Sequence, residues 1–285
     1  MNKIIKKERL ADEVYRMQIE SPLIANERKP GQFIILQVDD DFGERIPLTI
    51  ADADPVAGTI TIVFQSVGRT THLLAELEPG DKIPDLLGPL GQPTHIRKVG
   101  HVVCVGGGIG VAPLYPIAQA MKAAGNKVSI IMGARNKSLL IMEQEMQVIA
   151  DELIIMTDDG SYGRKGLVTA PLQELCEQSP KPDLAVIIGP PIMMKFASET
   201  TRPYGVSTVV SLNTIMIDGT GMCGGCRVTV GDETKFVCVD GPEFDGHLVD
   251  FDNMIKRLGA YKVSEDKHHQ AHHCQLDDAV VELKN

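Results

Sequence analysis

Three cysteines and one aspartate carry the clearest chemical pattern in the sequence. Cys223 and Cys226 form a C-x2-C pair, Cys238 follows after eleven intervening residues, and Asp218 stands five residues before Cys223. A plant-type [2Fe–2S] site has the spacing C-x4-C-x2-C followed by a distant cysteine. The four positions reproduce that spacing, with Asp218 as the first ligand. A zinc site of three thiolates and one carboxylate is the competing interpretation, because zinc also takes sulfur and oxygen ligands.

Glycine-rich turns follow several apolar runs in the middle of the chain. "VCVGGGIGVAP" follows a predicted strand and opens a predicted helix, where backbone N–H groups and the helix dipole can receive a pyrophosphate. "TDDGSYGRKG" and "GPPIMMK" follow later strands, and ligands bind beyond the carboxyl ends of such strands. This context favours a nucleotide site over a purely structural turn. Its predicted residues are Gly106, Gly107, Gly108, Ile109, Gly110, Asp158, Asp159, Gly160, Gly189, Pro190 and Met193.

Two further runs could bind a flavin, although neither is specific alone. In "ERIPLTIAD" a threonine at a strand end could donate to a flavin edge, but the run by itself is that of an ordinary strand. In "FQSVGRTTHLL" the amides at the start of a helix could hold a phosphate, with Arg69 nearby. The alternative for this run is a normal helix cap, supplied by Thr70 or Thr71.

The elements that must position these residues fall into three segments. Short alternating runs such as "EVYRMQIES" and "GTITIVFQSV" predict antiparallel β structure, as in a small barrel or sandwich. After about residue 99, strands alternate with helices, which predicts βαβ units and a parallel sheet. We therefore predict a β-barrel for FAD over residues 1–98, an α/β domain for NAD over 99–210, and a cluster-binding region with a C-terminal tail over 211–285.

Composition narrows the class of protein. The chain of 285 residues is 43% hydrophobic and 23% charged, as in a globular protein. Its net charge of -10 argues against a nucleic-acid binder, and no apolar run is long enough to predict a membrane span. Six cysteines without a signal peptide favour metal-binding thiols in a reducing compartment, which we predict to be the cytoplasm. The histidine pairs of "KHHQAHHC" could bind a metal, or could simply belong to a solvated tail.

In this order, the β segment, the "GGGIGVAP" loop and the [2Fe–2S] spacing resemble the ferredoxin-NADP reductase superfamily along nearly the whole chain. Two groups of small subunits within it are most similar. One serves B-type dihydroorotate dehydrogenase and carries four cluster cysteines. The other serves the electron-bifurcating NADH-dependent ferredoxin:NADP oxidoreductase, also described as sulfide dehydrogenase, and carries one Asp and three Cys. Asp218 favours the second group.

The resemblance implies site residues at matching positions. Thr49 would approach flavin N5 as the catalytic residue, and the arginine of the family's flavin motif falls on Ile46, with Arg45 one residue early. The family's "CGP" run is Ile188-Gly189-Pro190 here, so its cysteine near the nicotinamide is missing. The predicted flavin residues are Arg45, Ile46, Pro47, Leu48, Thr49, Val63, Phe64, Gln65, Gly68, Arg69, Thr70 and Thr71.

The resemblance also implies an activity and a partner. A hydride would pass between NAD(H) and FAD, and single electrons would pass through the [2Fe–2S] cluster to or from a larger flavin and iron–sulfur subunit in a heterodimer. That subunit would carry the chemistry of ferredoxin and NADP. Two alternatives remain: the electron-transfer subunit of a B-type dihydroorotate dehydrogenase, and a zinc-bearing nucleotide sensor.

Overall fold

The computed structural model describes residues 2–39 and 43–261. The histidine pairs of the C-terminal tail lie outside these residues. Among the helices that are described, none combines the length and the apolar character that crossing a bilayer requires.

The first segment forms a six-stranded antiparallel sheet with the spatial order β1-β2-β5-β4-β3-β6. An isolated bridge between Lys3 and Lys82 brings its two edges together. The strand pairing itself does not close the sheet, so the predicted barrel is an antiparallel sheet whose edges approach each other. Its elements are β1 (Ile4–Ala11), β2 (Val14–Glu20), α1 (Pro22–Glu27), β3 (Phe33–Gln37), β4 (Ile46–Asp54), β5 (Thr59–Gln65), α2 (Arg69–Glu76) and β6 (Asp85–Leu90).

Strand β3 is the one strand of this sheet with four successive fully buried side chains. Ile34 and Leu36 point into the core of the first sheet. Phe33 and Ile35 point to the other face, where they pack in the core that also contains Cys226 and Cys238. Successive side chains of a strand alternate between its faces, so β3 joins the first sheet to the cysteine-bearing segment.

The middle segment forms a parallel sheet with the order β10-β9-β8-β7-β11-β12. Its central strands are buried on both faces, because helices cover both sides of the sheet. The elements are β7 (His101–Gly107), α3 (Val111–Ala123), β8 (Lys127–Ala134), α4 (Glu143–Ile149), β9 (Glu152–Thr157), β10 (Arg164–Lys165), α5 (Thr169–Cys176), β11 (Leu184–Ile188), α6 (Pro191–Thr201) and β12 (Ser207–Ser211).

The last segment contains a small hairpin and returns to the parallel sheet. Its third strand pairs antiparallel with β12 and becomes the seventh strand of that sheet, so the segment is not packed as a separate layer. The sequence pattern did not predict this strand. The elements are β13 (Arg227–Val230), β14 (Glu233–Phe236), α7 (Val237–Asp240), β15 (Glu243–Asp245) and α8 (Phe251–Leu258).

The first two sheets share a hydrophobic contact. Helix α3 packs against β4, and the short 3-10 turn Gly108–Gly110 that precedes α3 contacts β5. Ala51 and Val63 from the first sheet lie in one buried cluster with Val111 and Leu114 of α3. The predicted flavin strands and the predicted nucleotide loop are therefore neighbours.

A partly buried carboxyl group lies where the three segments meet. Glu243 of β15 accepts a hydrogen bond from the Thr94 hydroxyl in the connection between the sheets. A Cβ on Gly31 would lie 2.9 Å from Glu243 Oε1, so the turn before β3 closes the site from the third side. Burial raises the pKa of Glu243 to about 7, and the hydrogen bond from Thr94 offsets only part of this rise.

We predict that this carboxyl group makes the protein less stable at high pH. The folded-state pKa of about 7 lies above the usual value of 4.5, so the folded chain binds more protons than the unfolded chain between these values. The free energy of unfolding should therefore fall as the pH rises from 4.5 to 7 and then level off. The full loss is about 3 kcal/mol at 1.36 kcal/mol per pKa unit.

Urea unfolding of wild type and Glu243→Gln, followed by circular dichroism at pH 5 and at pH 8, measures this effect. The variant should match wild type near pH 5 and exceed it near pH 8, because glutamine accepts the same hydrogen bond without ionising. Glu199→Gln, on an exposed position of α6, is the control and should differ little from wild type at either pH. Parallel stability profiles for wild type and Glu243→Gln would contradict the prediction.

Candidate cofactor and iron–sulfur site

The predicted cluster ligands form two pairs. Asp218 Oδ1 lies 3.2 Å from Cys223 Sγ, and Cys226 Sγ lies 3.3 Å from Cys238 Sγ. Asp218 and Cys223 belong to the loop between β12 and β13, and that loop leads to Cys226 immediately before β13. Cys238 is in α7. Cys223 is exposed, whereas Cys226 and Cys238 are buried in the core beside β3.

This arrangement fits a binuclear cluster better than a single zinc ion. In a [2Fe–2S] cluster each iron takes two protein ligands. A structural zinc needs four donors around one centre, with Zn–S distances of about 2.3 Å. Within residues 2–39 and 43–261, no three Cys, His, Asp or Glu side chains converge on one metal position. The backbone of Gly221, which lies between Asp218 and Cys223 in sequence, nevertheless hydrogen-bonds to Cys238, so the loop that carries the first pair contacts the second.

Asp218 uses its two carboxylate oxygens differently. Oδ2 accepts hydrogen bonds from the Thr220 hydroxyl at 3.0 Å and from the backbone N–H groups of Met222 and Cys223 at 2.8 and 3.3 Å. Oδ1 faces the Cys223 thiol. Burial acts to raise the pKa of Asp218, but the hydrogen bond from the Cys223 thiol, together with those to Oδ2, outweighs it and lowers the pKa to about 2. Oδ2 thus holds the loop together through hydrogen bonds, while Oδ1 is directed at Cys223, the other predicted ligand of its pair.

Backbone N–H groups point at the thiols. Gly225 N lies 3.4 Å from Cys223 Sγ, and Cys238 N lies 3.5 Å from Cys226 Sγ. Burial, and then the neighbouring Cys226, raise the pKa of Cys238 to about 12. A thiolate at Cys238 therefore needs a bound cation to stabilise it, as iron ligation would do.

Sequence reasoning missed two residues that hold the cluster loop. Thr220 donates to Asp218, and its position two residues after an aspartate is a local signal that could have indicated a turn of this kind. Arg257 in α8 donates to the carbonyl of Gly225 at 3.2 Å. Arg257 and Gly225 are 32 positions apart in sequence, and no local pattern predicts their contact.

The predicted flavin segments lie on adjacent strands. Ile46 to Thr49 form the start of β4, where all four side chains are partly exposed and Thr49 is opposite Phe33 of β3. Val63 and Phe64 of β5 are buried on opposite faces, so their side chains are packing residues and only their backbone could meet a flavin. Gln65 at the end of β5 is partly exposed.

Helix α2 begins at Arg69 and has Gly68 as its N-cap. The prediction that Thr70 or Thr71 is the N-cap is therefore wrong. Thr71 lies in the first turn of the helix, and its hydroxyl accepts a hydrogen bond from Gly68 N at 2.9 Å. Thr70 is buried. A Cβ built on Gly68 would meet no atom within 4 Å, so the helix start is open to an approaching phosphate, with half-exposed Arg69 beside it.

Arg45 directly precedes β4 and contacts both β6 and the cluster loop. Its Nη1 lies 2.5 Å from Asp85 Oδ2 at the start of β6, and its Nε donates to the carbonyl of Ile217 at 3.0 Å. The predicted flavin residue Arg45 therefore contacts the cluster loop in this structure.

Most of the predicted nucleotide residues meet at the carboxyl ends of β7 and β11. A Cβ on Gly107 would lie 2.3 Å from Met193 Sδ, and a Cβ on Gly189 would lie 2.5 Å from Met193 Cε. Gly110 packs so closely on the end of β11 that its Cβ would lie 2.4 Å from Ile188 O. A Cβ built on Gly108 would meet no atom within 4 Å. Backbone groups of this loop are thus accessible to a dinucleotide, beside Ile109 and Pro190.

Asp158, Asp159 and Gly160 follow β9, two strands away from β7. The N–H groups of Asp158 and Asp159 donate to the carbonyls of Ala134 and Arg135 at the end of β8. The structure therefore places these three residues at the same edge of the sheet as the glycine loop. They lie beside the end of β8 and Arg135, and not at the ends of β7 and β11.

Comparisons with known proteins agree with this architecture. Residues 213–250 match the iron–sulfur cluster binding domain of dihydroorotate dehydrogenase B, and residues 104–199 match the oxidoreductase NAD-binding domain. A chain in the structure of the NADH-dependent reduced ferredoxin-NADP oxidoreductase, described for flavin-based electron bifurcation, is 47% identical with a TM-score of 0.90. The match covers 95% of this chain and 98% of that one.

Curated relatives match along nearly the full length. The dihydroorotate dehydrogenase B (NAD(+)) electron transfer subunit homolog of Thermotoga maritima is 49% identical over 93% of both chains. The dihydroorotate dehydrogenase B (NAD(+)) electron transfer subunit of Geobacillus thermodenitrificans is 34% identical, over 85% of this chain and 94% of the relative. This chain therefore belongs to the family of dihydroorotate dehydrogenase B electron transfer subunits and their homologues, an oxidoreductase family with the fold of the ferredoxin-NADP reductase superfamily.

Proposed function

We propose that the chain is the flavin and iron–sulfur subunit of an electron-bifurcating ferredoxin:NADP oxidoreductase. It exchanges a hydride between NAD(H) and FAD and passes single electrons through a [2Fe–2S] cluster. The observation that carries the proposal is the position of β3 and β4: β4 contacts the helix after the nucleotide loop, and its neighbour β3 packs against Cys226 and Cys238.

Each cofactor has residues that fit it. The partly exposed start of β4 and the open helix start at Gly68 would hold FAD, and the loop Gly106–Gly110 with Gly189 and Met193 would hold the dinucleotide. Asp218, Cys223, Cys226 and Cys238 would hold the cluster. FAD, when bound, exchanges hydride with a nicotinamide and single electrons with an iron–sulfur centre.

The residues of the chain hold and orient these groups. Hydride transfer between a bound nicotinamide and a bound flavin would require close alignment of the two groups and no nucleophile from the chain. The side chain of Met193 packs against Gly107 and Gly189 and would form one wall of the nucleotide site. Thr49, partly exposed on β4, would donate its hydroxyl to the flavin edge. Asp218 Oδ2 keeps the loop wrapped around the ligand pairs.

A larger subunit completes the proposed reaction. The relatives are named as electron transfer subunits, and the 47% identical chain comes from a bifurcating complex. Asp218 at the first-ligand position supports the bifurcating complex over its alternative. The names of the curated relatives favour that alternative, a B-type dihydroorotate dehydrogenase, in which the same module serves another partner.

The flavin assignment predicts NADH-dependent bleaching. The chain, purified gently and reconstituted with FAD, should lose its flavin absorbance when titrated with NADH without oxygen. Gly110→Ala should raise KM for NADH, because its Cβ would lie 2.4 Å from Ile188 O. We expect about tenfold, or about 1.4 kcal/mol. Gly259→Ala, where a Cβ meets no atom within 4 Å, is the matched control. Failure to bind FAD at all would refute the proposal.

The ligand assignment predicts different results for two substitutions of Asp218. Asp218→Cys should retain a [2Fe–2S] cluster whose visible and EPR spectra move toward the four-thiolate type, because a thiolate replaces a harder oxygen donor. Asp218→Ala should weaken or lose the cluster, since both the ligand and the acceptor for Met222 N are removed. Asp232→Ala, a carboxylate outside the ligand spacing, should leave the spectra unchanged. If both Asp218 variants kept the wild-type spectrum and potential, Asp218 would not be a ligand.

The partner assignment predicts a stable hetero-complex. Gel filtration from the native source should recover the chain with a larger subunit, and the identity of that subunit separates the two candidate complexes. A large subunit that reduces ferredoxin and NADP supports the bifurcating complex, and one that oxidises dihydroorotate supports the alternative. Recovery solely as a monomer with full ferredoxin-linked activity would contradict the need for a partner.

A further inference from the structure

Arg45 connects three parts of the chain that are distant in sequence. It directly precedes β4, its Nη1 pairs with Asp85 at the start of β6, and its Nε donates to the carbonyl of Ile217. The side chain is only 28% exposed, so these contacts are partly shielded from water. The planar guanidinium can hold two acceptors in fixed directions, which an ammonium cannot do equally well.

The contact with Ile217 bears directly on Asp218. The carbonyl of Ile217 and the N–H of Asp218 belong to one planar peptide group, so a hydrogen bond that fixes the carbonyl also fixes the start of Asp218. On its other side, Gly219 has φ +75 and presses on the first sheet: a Cβ there would lie 2.8 Å from Leu90 Cδ1 and 2.9 Å from Ile35 Cγ1. Asp218 is therefore held from both neighbours against the sheet that contains β4.

We propose that Arg45 is a positioning residue for the cluster. It acts through the carbonyl of Ile217 to set Asp218, the proposed first iron ligand, at a fixed place relative to β4. The inference rests on the proposed function, because it assumes FAD on β4 and a cluster at Asp218. The resemblance places Arg45 among the predicted flavin residues, although the family's arginine position is Ile46. The contacts of Arg45 with Asp85 and Ile217 favour the cluster loop instead.

The geometry also indicates that Arg45 acts on the cluster loop mainly through a hydrogen bond and not through its positive charge. Asp85 lies against the guanidinium and offsets much of its charge, so the directed hydrogen bond to Ile217 is the larger part of its effect on the cluster loop. Losing that bond frees the peptide before Asp218. Because hydrogen bonding and solvent exposure around the cluster set its potential, we expect flavin-to-cluster electron transfer to slow severalfold.

The test compares Arg45→Ala, Arg45→Lys and the control Arg164→Ala in the complete chain. Arg164 is an exposed arginine in β10 that pairs with Glu174 at the opposite edge of the parallel sheet. EPR spectra of the dithionite-reduced cluster report the ligand geometry. Stopped-flow absorbance after mixing with NADH reports flavin bleaching and cluster reduction separately, and bound FAD per chain is measured for each variant.

Arg45→Ala should alter the EPR line shape or lose the cluster, and should slow cluster reduction more than flavin bleaching. Arg45→Lys should keep the cluster but still show an altered line shape, because it keeps the charge and not the planar fork. The control should match wild type. The proposal is overturned if Arg45→Lys or Arg45→Ala has the wild-type EPR spectrum and rate. It is also overturned if Arg45→Ala loses FAD while its cluster spectrum is unchanged, which would make Arg45 a flavin ligand.

These outcomes are distinct from failure of the proposed function. If NADH does not bleach the flavin of wild type, the proposed function fails. The dithionite-reduced spectra still decide whether Arg45 positions the cluster ligand.

Discussion

The burial of β3 on both of its faces is the constraint on which the arrangement of the sites depends. Ile34 and Leu36 complete the core of the first sheet, while Phe33 and Ile35 pack with the cysteine-bearing segment. The strand beside it, β4, carries the predicted flavin run. Any shift of the cluster region relative to the flavin strand would expose apolar side chains of β3 to water, which costs about 1.5–3 kcal/mol for each large side chain. A single buried strand therefore holds the predicted flavin strand and the predicted cluster ligands at a fixed separation.

The conformation of the cluster loop depends on the different contacts that the two oxygens of one carboxylate make. Asp218 Oδ2 accepts three hydrogen bonds that wrap the loop, which leaves Oδ1 facing Cys223. A cysteine would have to offer one sulfur to both the metal and the N–H groups, whereas the carboxylate offers a separate oxygen to each. This gives a physical reason for an aspartate at the first-ligand position.

Local patterns predicted the parts of the structure that local forces determine. The parallel sheet, its glycine loop and the ligand spacing follow from residue periodicity and short motifs, and the comparisons confirm the fold and the cofactor classes. Periodicity could not indicate that Val63 and Phe64 are packing residues, because both faces of β5 are covered. The contact of Arg45 with Ile217 spans 172 residues and has no local signal. The roles of the individual site residues remain predictions.

Mössbauer spectroscopy of the oxidised wild-type protein, combined with iron and zinc analysis, tests the paired ligand set most directly. If Asp218 and Cys223 bind one iron while Cys226 and Cys238 bind the other, the protein should contain iron without zinc. Its two iron sites should then give two different quadrupole doublets of equal intensity. One doublet should be that of an iron with four sulfur ligands, and the other that of an iron with one oxygen among them. A single doublet from equivalent irons, or stoichiometric zinc in place of iron, would contradict this account.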